Sequence, residues 1–225
     1  MVSKPMEALS PVPLFAGLDD EVVDAVMQSA IVQRYAADGV VFLQGDPCAG
    51  LYIVQEGWLK GVITSPSGRE QIVRLLGPGD VFDEIGLLTD ARNQVTVQAL
   101  EDTTLWIIER ETMLRLMEEH PLLCRAVART LAEHVLQLMK LVEDLSLRTV
   151  KSRMARLLLE NAREGVINRR RWMTQTEMAA RLGTVLDVAN RTLNSLEEEE
   201  LISVKRYEIR ILQRKRLEVL AAWEE

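Results

Sequence analysis

The chain has 225 residues, 48% of them hydrophobic and 27% charged, with a net charge of −7. This is the make-up of an ordinary globular protein, long enough for one large domain or two modest ones around a buried core. No apolar run approaches the roughly 20 residues of a membrane helix, and "MVSKPMEALS" lacks a signal-peptide core, so a cytoplasmic protein with no membrane partner is expected.

Two isolated cysteines, Cys48 and Cys124, suit a reducing compartment. They form neither a disulfide framework nor a four-cysteine iron–sulfur site. In chain order, "LDDEVVDAVMQSA" (18–30) reads as a short amphipathic helix opened by Asp19 or Asp20. Nine of the twelve glycines then fall between Gly39 and Gly86. Between and after them come β-rich runs: "VVF", "LYIV", "LKGVIT", "QIVRLL", "QVTVQAL" and "TLWII". Short strands separated by turn glycines, with "GDP", "PSG" and "GPGD" as turn chemistry, predict an all-β roll or barrel.

From Glu111 the period changes. Cys124, Ala128, Leu131, Val135, Leu138, Val142 and Leu145 are spaced alternately by four and three, an a/d seam over three heptads, with Pro121 where a helix starts well. A stripe this narrow suits a second copy of the helix better than a broad core face, so a homodimer is expected.

The charge divides along the chain. Residues 1–147 carry 11 basic and 22 acidic side chains, net −11; residues 148–225 carry 16 and 12, net +4. A basic C-terminal module on an acidic body is an arrangement found in DNA readers. Its first helix is "TVKSRMARLLLENA", followed by the basic loop "NRRRW". Thr174 and Glu177 then make a capping box, the helix stops at Gly183, and a second helix begins at once. Helix, short glycine turn, helix is the DNA-binding arrangement, and "ISVKRYEIRIL" adds two β runs around Lys205-Arg206, a wing.

Together these features resemble the Crp/Fnr family of transcription regulators, along nearly the whole chain from "LFAGLDDEVVDAV" to "VANRTLNSLE". The resemblance implies an α+β protein: a jelly-roll-like β-roll sensor over 1–119, a dimerisation helix over 120–147, and a winged helix-turn-helix over 148–225. It also implies a homodimer on a pseudo-palindromic double-stranded DNA operator, under effector control, with RNA polymerase as a further partner. Nucleotide-binding members carry F-G-E-I-x-L-L-x-x-x-P-R-S-A-T-V-x-A, whose Glu holds a ribose hydroxyl and whose Arg holds the cyclic phosphate. Here Phe82, Glu84, Ile85, Leu87, Leu88, Thr96, Val97 and Ala99 match. Asp83 stands at the glycine, Asn93 at the arginine and Gln94 at the serine, while Arg92 comes one place early.

Because strand side chains alternate faces, that slip turns Arg92 away from the pocket unless a bulge corrects it. An anionic phosphate out of bulk water needs its cation, and Asp83 adds a repelling charge. On the long helix, Leu138 and Met139 replace the polar pair that meets the base in the cyclic-AMP receptor. These departures argue against a cyclic nucleotide held in the usual manner. Haem, through His120, His134, Cys48, Cys124 or a methionine, an apolar ligand, and constitutive activity stay open.

The expected recognition helix runs from about Val185 to Glu198, with Val185, Leu186, Asp187, Asn190 and Arg191 facing DNA. Arg191 matches the family's later base-reading arginine, and arginine can read guanine as asparagine reads adenine. Leu186-Asp187 replaces the family's earlier Arg-Glu pair, so a different operator is expected. Thr174, Gln175, Thr184, Lys205 and Arg206 are the expected phosphate contacts, and Arg169-Arg170-Arg171 adds non-specific attraction. Two isolated histidines supply no convergent metal or catalytic set, which speaks against an enzyme or a metal site. The remaining rival is a cyclic-nucleotide module with a vestigial C-terminus.

Overall fold

In the computed structural model, residues 12–89, 91–168, 170 and 173–222 are described. Contacts group the chain into two units, Met1–Ile63 with Val73–Leu138, and Thr64–Ile72 with Met139–Glu225. The elements are numbered in chain order. Helix α1 (Asp20–Gln28) precedes strands β1 (Ala30–Tyr35), β2 (Val40–Phe42), β3 (Gly50–Glu56), β4 (Leu59–Thr64), β5 (Glu70–Leu76) and β6 (Val81–Phe82). Then come α2 (Glu84–Leu88), β7 (Thr96–Ala99), β8 (Thr103–Glu109), α3 (Arg110–Glu119) and the long α4 (Pro121–Leu147).

The strands form two four-stranded sheets, β1-β8-β3-β6 and β2-β7-β4-β5. "LYIV" and "LWII" are apolar at every position because β3 and β8 are the central strands of a sheet covered on both faces. Leu51, Ile53, Trp106 and Ile108 face a core shared with α1, α3 and the start of α4. Tyr52, Val54 and Leu105 face the other way, packing with Phe42, Leu59, Leu76, Phe82 and Val97. Each fully buried Leu or Ile contributes about 1.5–3 kcal/mol. The turn at Gly57 has φ 90°, and a Cβ there would lie 2.4 Å from Thr103 Oγ1, so glycine is required.

Several features differ from the sequence reading, β6 and α2 among them, which it did not place. β1 was not expected: its inner residues are exposed, so no burial pattern marks it, yet it pairs antiparallel with β8 along its full length. The run "QVTVQAL" is strand only from Thr96.

Helix α4 starts at Pro121 as expected, and its first half is held by Leu123, Ala126, Val127 and Thr130, all buried. The heptad seam lies on another face. Cys124, Ala128, Val135, Leu138 and Val142 are exposed and Leu131 and Leu145 half-buried; Leu131, Val135 and Leu138 also line the cavity described below.

The second unit holds α5 (Val150–Asn161), β9 (Val166–Asn168), α6 (Gln175–Leu182), α7 (Leu186–Glu198), β10 (Ile202–Lys205), β11 (Glu208–Ile211) and α8 (Arg214–Ala221). Thr149 caps α5 by accepting from the Ser152 N–H at 3.2 Å. Met154, Leu158, Leu182, Leu193, Leu196, Ile209 and Leu217 make one core from these helices and the three-stranded sheet β10-β11-β9. The architecture is thus the expected α+β one of roll, long helix and winged helix-turn-helix.

Candidate effector cavity and nucleic-acid interface

A cavity of about 310 Å3 opens in the first unit. Phe42, Leu76, Phe82 and Val97 give it apolar walls, and Leu131, His134, Val135 and Leu138 of α4 close one side. Its polar side comes from the stretch after β6. Asp83 sits in the left-handed region, φ 70° and ψ 24°, where the family has glycine. Aspartate tolerates that region better than most residues because its short polar side chain can bond locally. Gly86 makes this packing feasible, since a Cβ there would lie 2.7 Å from both Asp83 Oδ1 and Cys48 Cβ.

The Asp83 carboxyl is occupied within the chain. With its amide turned to donate, the buried Asn93 places its nitrogen 3.1 Å and 3.2 Å from the two carboxyl oxygens. Burial pushes Asp83 up to about 6, with a smaller upward push from Glu84 and a downward pull from its bond with the Cys48 thiol. The same burial, and Asp83 beside it, push Cys48 up to about 12.

Glu84 opens α2 and is 3% exposed. Among the described residues its Oε1 has no hydrogen-bond partner, though His134 Nδ1 lies 3.3 Å away. That nitrogen also lies 3.2 Å from Arg74 Nη1. Burial pulls Arg74 below its ordinary value, while Glu84 and Asp80 push it back up.

The expectation that Arg92 points away from the pocket is corrected. Residues 91–95 are not strand, so the alternation argument does not apply, and Arg92 lines the cavity with its Nη1 donating to the Gly45 carbonyl at 2.9 Å. Gln94 and Leu138 also line it. Met139 does not: it lies one residue, about 100° of helix, past Leu138 and is 62% exposed. Arg74 was missed, although a lone cation within the apolar run "QIVRLL" is a readable signal. His134 was weighed only as a haem ligand, and its place on the wall depends on how α4 packs. Among the described residues no group of three or more His, Cys, Asp or Glu is placed to hold a metal ion.

In the second unit, Thr174 Oγ1 caps α6, accepting from the Glu177 N–H at 3.2 Å and donating to the Glu177 carboxylate at 2.6 Å. Gly183 ends α6 at φ 63°, ψ 38°, and α7 begins three residues later with Val185 as its N-cap. Buried Ala189, Leu193 and Leu196 pin one face of α7 and leave Val185, Leu186, Asp187 and Arg191 on the exposed face. Arg191 Nη2 pairs with Asp187 Oδ2 at 2.9 Å, one turn apart. Asn190 is half-buried, and among the described residues its Oδ1 has no hydrogen-bond partner. Thr174, Gln175, Lys205 and Arg206 are exposed and Thr184 half-buried; Arg206 lies over the Tyr207 ring, 5.1 Å from its centroid. Of the basic loop, Arg169 and Arg171 lie outside the described residues. No described helix is long and apolar enough to cross a membrane.

Residues 32–120 match the cyclic nucleotide-binding domain family, and residues 152–220 the Crp-like helix-turn-helix domain family. The chain is 32% identical to the cyclic AMP receptor protein of Thermus thermophilus over 190 residues, 84% of this chain and 88% of that one. It is 30% identical to the probable transcriptional regulator flp of Lacticaseibacillus casei, over 93% of this chain and 96% of that one. The solved structure of FixK2 from Bradyrhizobium japonicum shares the fold, with a TM-score of 0.76 at 23% identity over 87% of this chain and 99% of that one. With both domain families present in this order and identity spanning most of each relative, the chain belongs to the Crp/Fnr family of transcriptional regulators, which are not enzymes.

Proposed function

We propose that the chain works in the cytoplasm as a homodimer on a pseudo-palindromic operator, and that its β-roll effector is not held through a cyclic-phosphate arginine. The division of labour is sensing by 1–119, dimerisation by 120–147 and DNA reading by 148–225, with RNA polymerase as the downstream partner. The observation that carries the DNA reading is α7, whose inner face is buried in its own core while Leu186, Asp187 and Arg191 project from the first turns. Arg191 reads a base and its pair with Asp187 pre-orients the fork; Thr174, Gln175, Thr184, Lys205 and Arg206 hold phosphates. Asn190 stays a candidate adenine reader, its amide half-buried until DNA reaches it.

Selected operator DNA tests this by fluorescence anisotropy across salt. Arg191→Ala is expected to weaken binding by about thirtyfold or more and to relax one base position in each half-site, from roughly 1–3 kcal/mol per good pair lost in both protomers. Lys205→Ala is expected to weaken all sequences alike and flatten the salt slope by about 1.8, one phosphate contact being lost from each protomer of the dimer. If Arg191→Ala lowers the salt slope and leaves sequence preference intact, Arg191 is a phosphate contact.

Against a phosphate grip stand Asp83 at the close-approach position and Asn93, whose amide is engaged by that carboxyl. A second reading, a cyclic nucleotide after all, draws on Arg92 lining the cavity. Calorimetric titration of cyclic AMP and then cyclic GMP into the full-length protein decides between them. One-per-protomer binding at micromolar affinity, abolished by Arg92→Gln, would establish the second reading.

A further inference from the structure

We infer that Arg206, at the tip of the β10–β11 hairpin, enters the DNA minor groove beside each half-site and selects A·T pairs there, with Tyr207 as its positioning residue. The inference rests on the proposal that the second unit reads DNA. It carries Arg206 from a row of phosphates into the groove between two such rows. The hairpin supplies the first argument. Lys205 stands opposite Glu208, so Arg206 and Tyr207 are the two residues of the turn itself. Both are exposed, as is Lys205. Behind the tip the hairpin is fixed: Ile202 and Ile209 are buried in the core of the unit. The Val204 N–H donates to Glu197 Oε1 of α7 at 2.7 Å, so the recognition helix holds the wing directly. Arg206 starts two residues, roughly 6.5 Å of extended chain, past that bond. With α7 in a major groove, a tip held this close to it serves the adjoining minor groove.

Charge supplies the second. Glu208 is the acidic residue of the hairpin, and its Oε1 accepts from Arg210 Nε at 3.2 Å and Nη2 at 3.1 Å. The carboxylate beside the tip is thus neutralised in place. The third argument is the stacked pair. A plain phosphate contact asks only for a charge on a flexible stem, which lysine supplies. Arg206 is instead laid on a ring, its Cζ 5.1 Å from the Tyr207 centroid. A guanidinium with one face on a ring has already shed water there, and it enters a groove about 6 Å wide at lower cost than a strongly hydrated ammonium. The minor groove narrows over A·T runs, and its deeper negative potential draws arginine. A G·C pair puts the guanine N2 amino group, a donor, in front of a side chain that can only donate.

The test uses the full-length protein and its selected operator, with the base pairs flanking each half-site changed together to A·T, G·C or inosine·cytosine. The last shows the major groove of G·C but lacks the N2 amino group. Fluorescence anisotropy is expected to find A·T and inosine·cytosine flanks bound alike, and G·C flanks about thirtyfold more weakly, the lower end of a mismatch counted in both half-sites. Arg206→Lys keeps the charge, so it should hold the salt slope while the flank preference falls to within about threefold. Tyr207→Phe keeps the ring and should keep the preference; Tyr207→Ala should lose most of it. The flank comparison in the unmodified protein stands even if a variant does not fold. Equal binding of all three flanks, inosine behaving as guanine, or full preference in Arg206→Lys would each overturn the inference. Operator binding that ignores the flanks refutes the wing inference alone, whereas no salt-dependent DNA binding at all would refute the DNA reading and the wing inference with it.

Discussion

Asp83→Asn is expected to gain stability relative to the unmodified protein as pH rises from about 4 to neutral. The side chain keeps its shape, and asparagine accepts the left-handed backbone at φ 70° as readily as aspartate. What changes with pH is the charge; the exchange of one acceptor oxygen for an NH2 that meets the Asn93 amide is a cost that does not vary with pH. Burial raises the Asp83 carboxyl from 3.8 to about 6. Between those values an unfolded chain has already lost the proton while the folded chain keeps it, so stability falls as pH rises through the window. Above it the whole cost is present, about 3 kcal/mol at 1.36 kcal/mol per tenfold change in proton affinity. That is an upper bound, because the Asn93 amide donating to both oxygens favours the ionised form. Urea unfolding of wild type and variant, at one protomer concentration and at several pH values from 4 to 8, measures it. The stability difference should move in favour of asparagine as pH rises from 4 to 7. A difference that does not vary with pH would refute a buried, penalised carboxylate.

Three further outcomes follow from particular contacts. Val142→Lys, on an exposed seam position 62% accessible in the single chain, should leave the fold intact and shift sedimentation velocity from dimer to monomer. DNA affinity should fall with it. Gly183→Ala must hold φ 63° and place a Cβ 2.4 Å from Leu145 Cδ2, so thermal unfolding should show a loss of at least about 1 kcal/mol. Cys48, pushed up to about 12, should have on the order of one thiolate in ten thousand at pH 8. Mass spectrometry after iodoacetamide treatment should therefore find Cys48 labelled only in the unfolded protein.

The architecture was legible because its signals are local. Glycine spacing, apolar runs, the period of α4 and the Thr174–Gly183 frame of the helix-turn-helix each depend on residues close in the chain. β1 escaped because an exposed edge strand has no burial pattern, and only its pairing with β8 defines it. The cavity shows the same limit more sharply. Sequence alignment alone could name Asp83, Glu84, Arg92, Asn93, Gln94 and Leu138 as its candidates, and the family departure at Asp83 and Asn93. That these two meet each other needed the positive φ at Asp83 and the turn that buries Asn93. That Arg92 reaches the wall depended on residues 91–95 being no strand. The meeting of Arg74 from β5, Glu84 from α2 and His134 from α4 joins residues up to 60 positions apart. Local propensity and period carry no information on such a meeting; it is decided where the packing of Leu123, Ala126 and Val127 sets the helix against the roll.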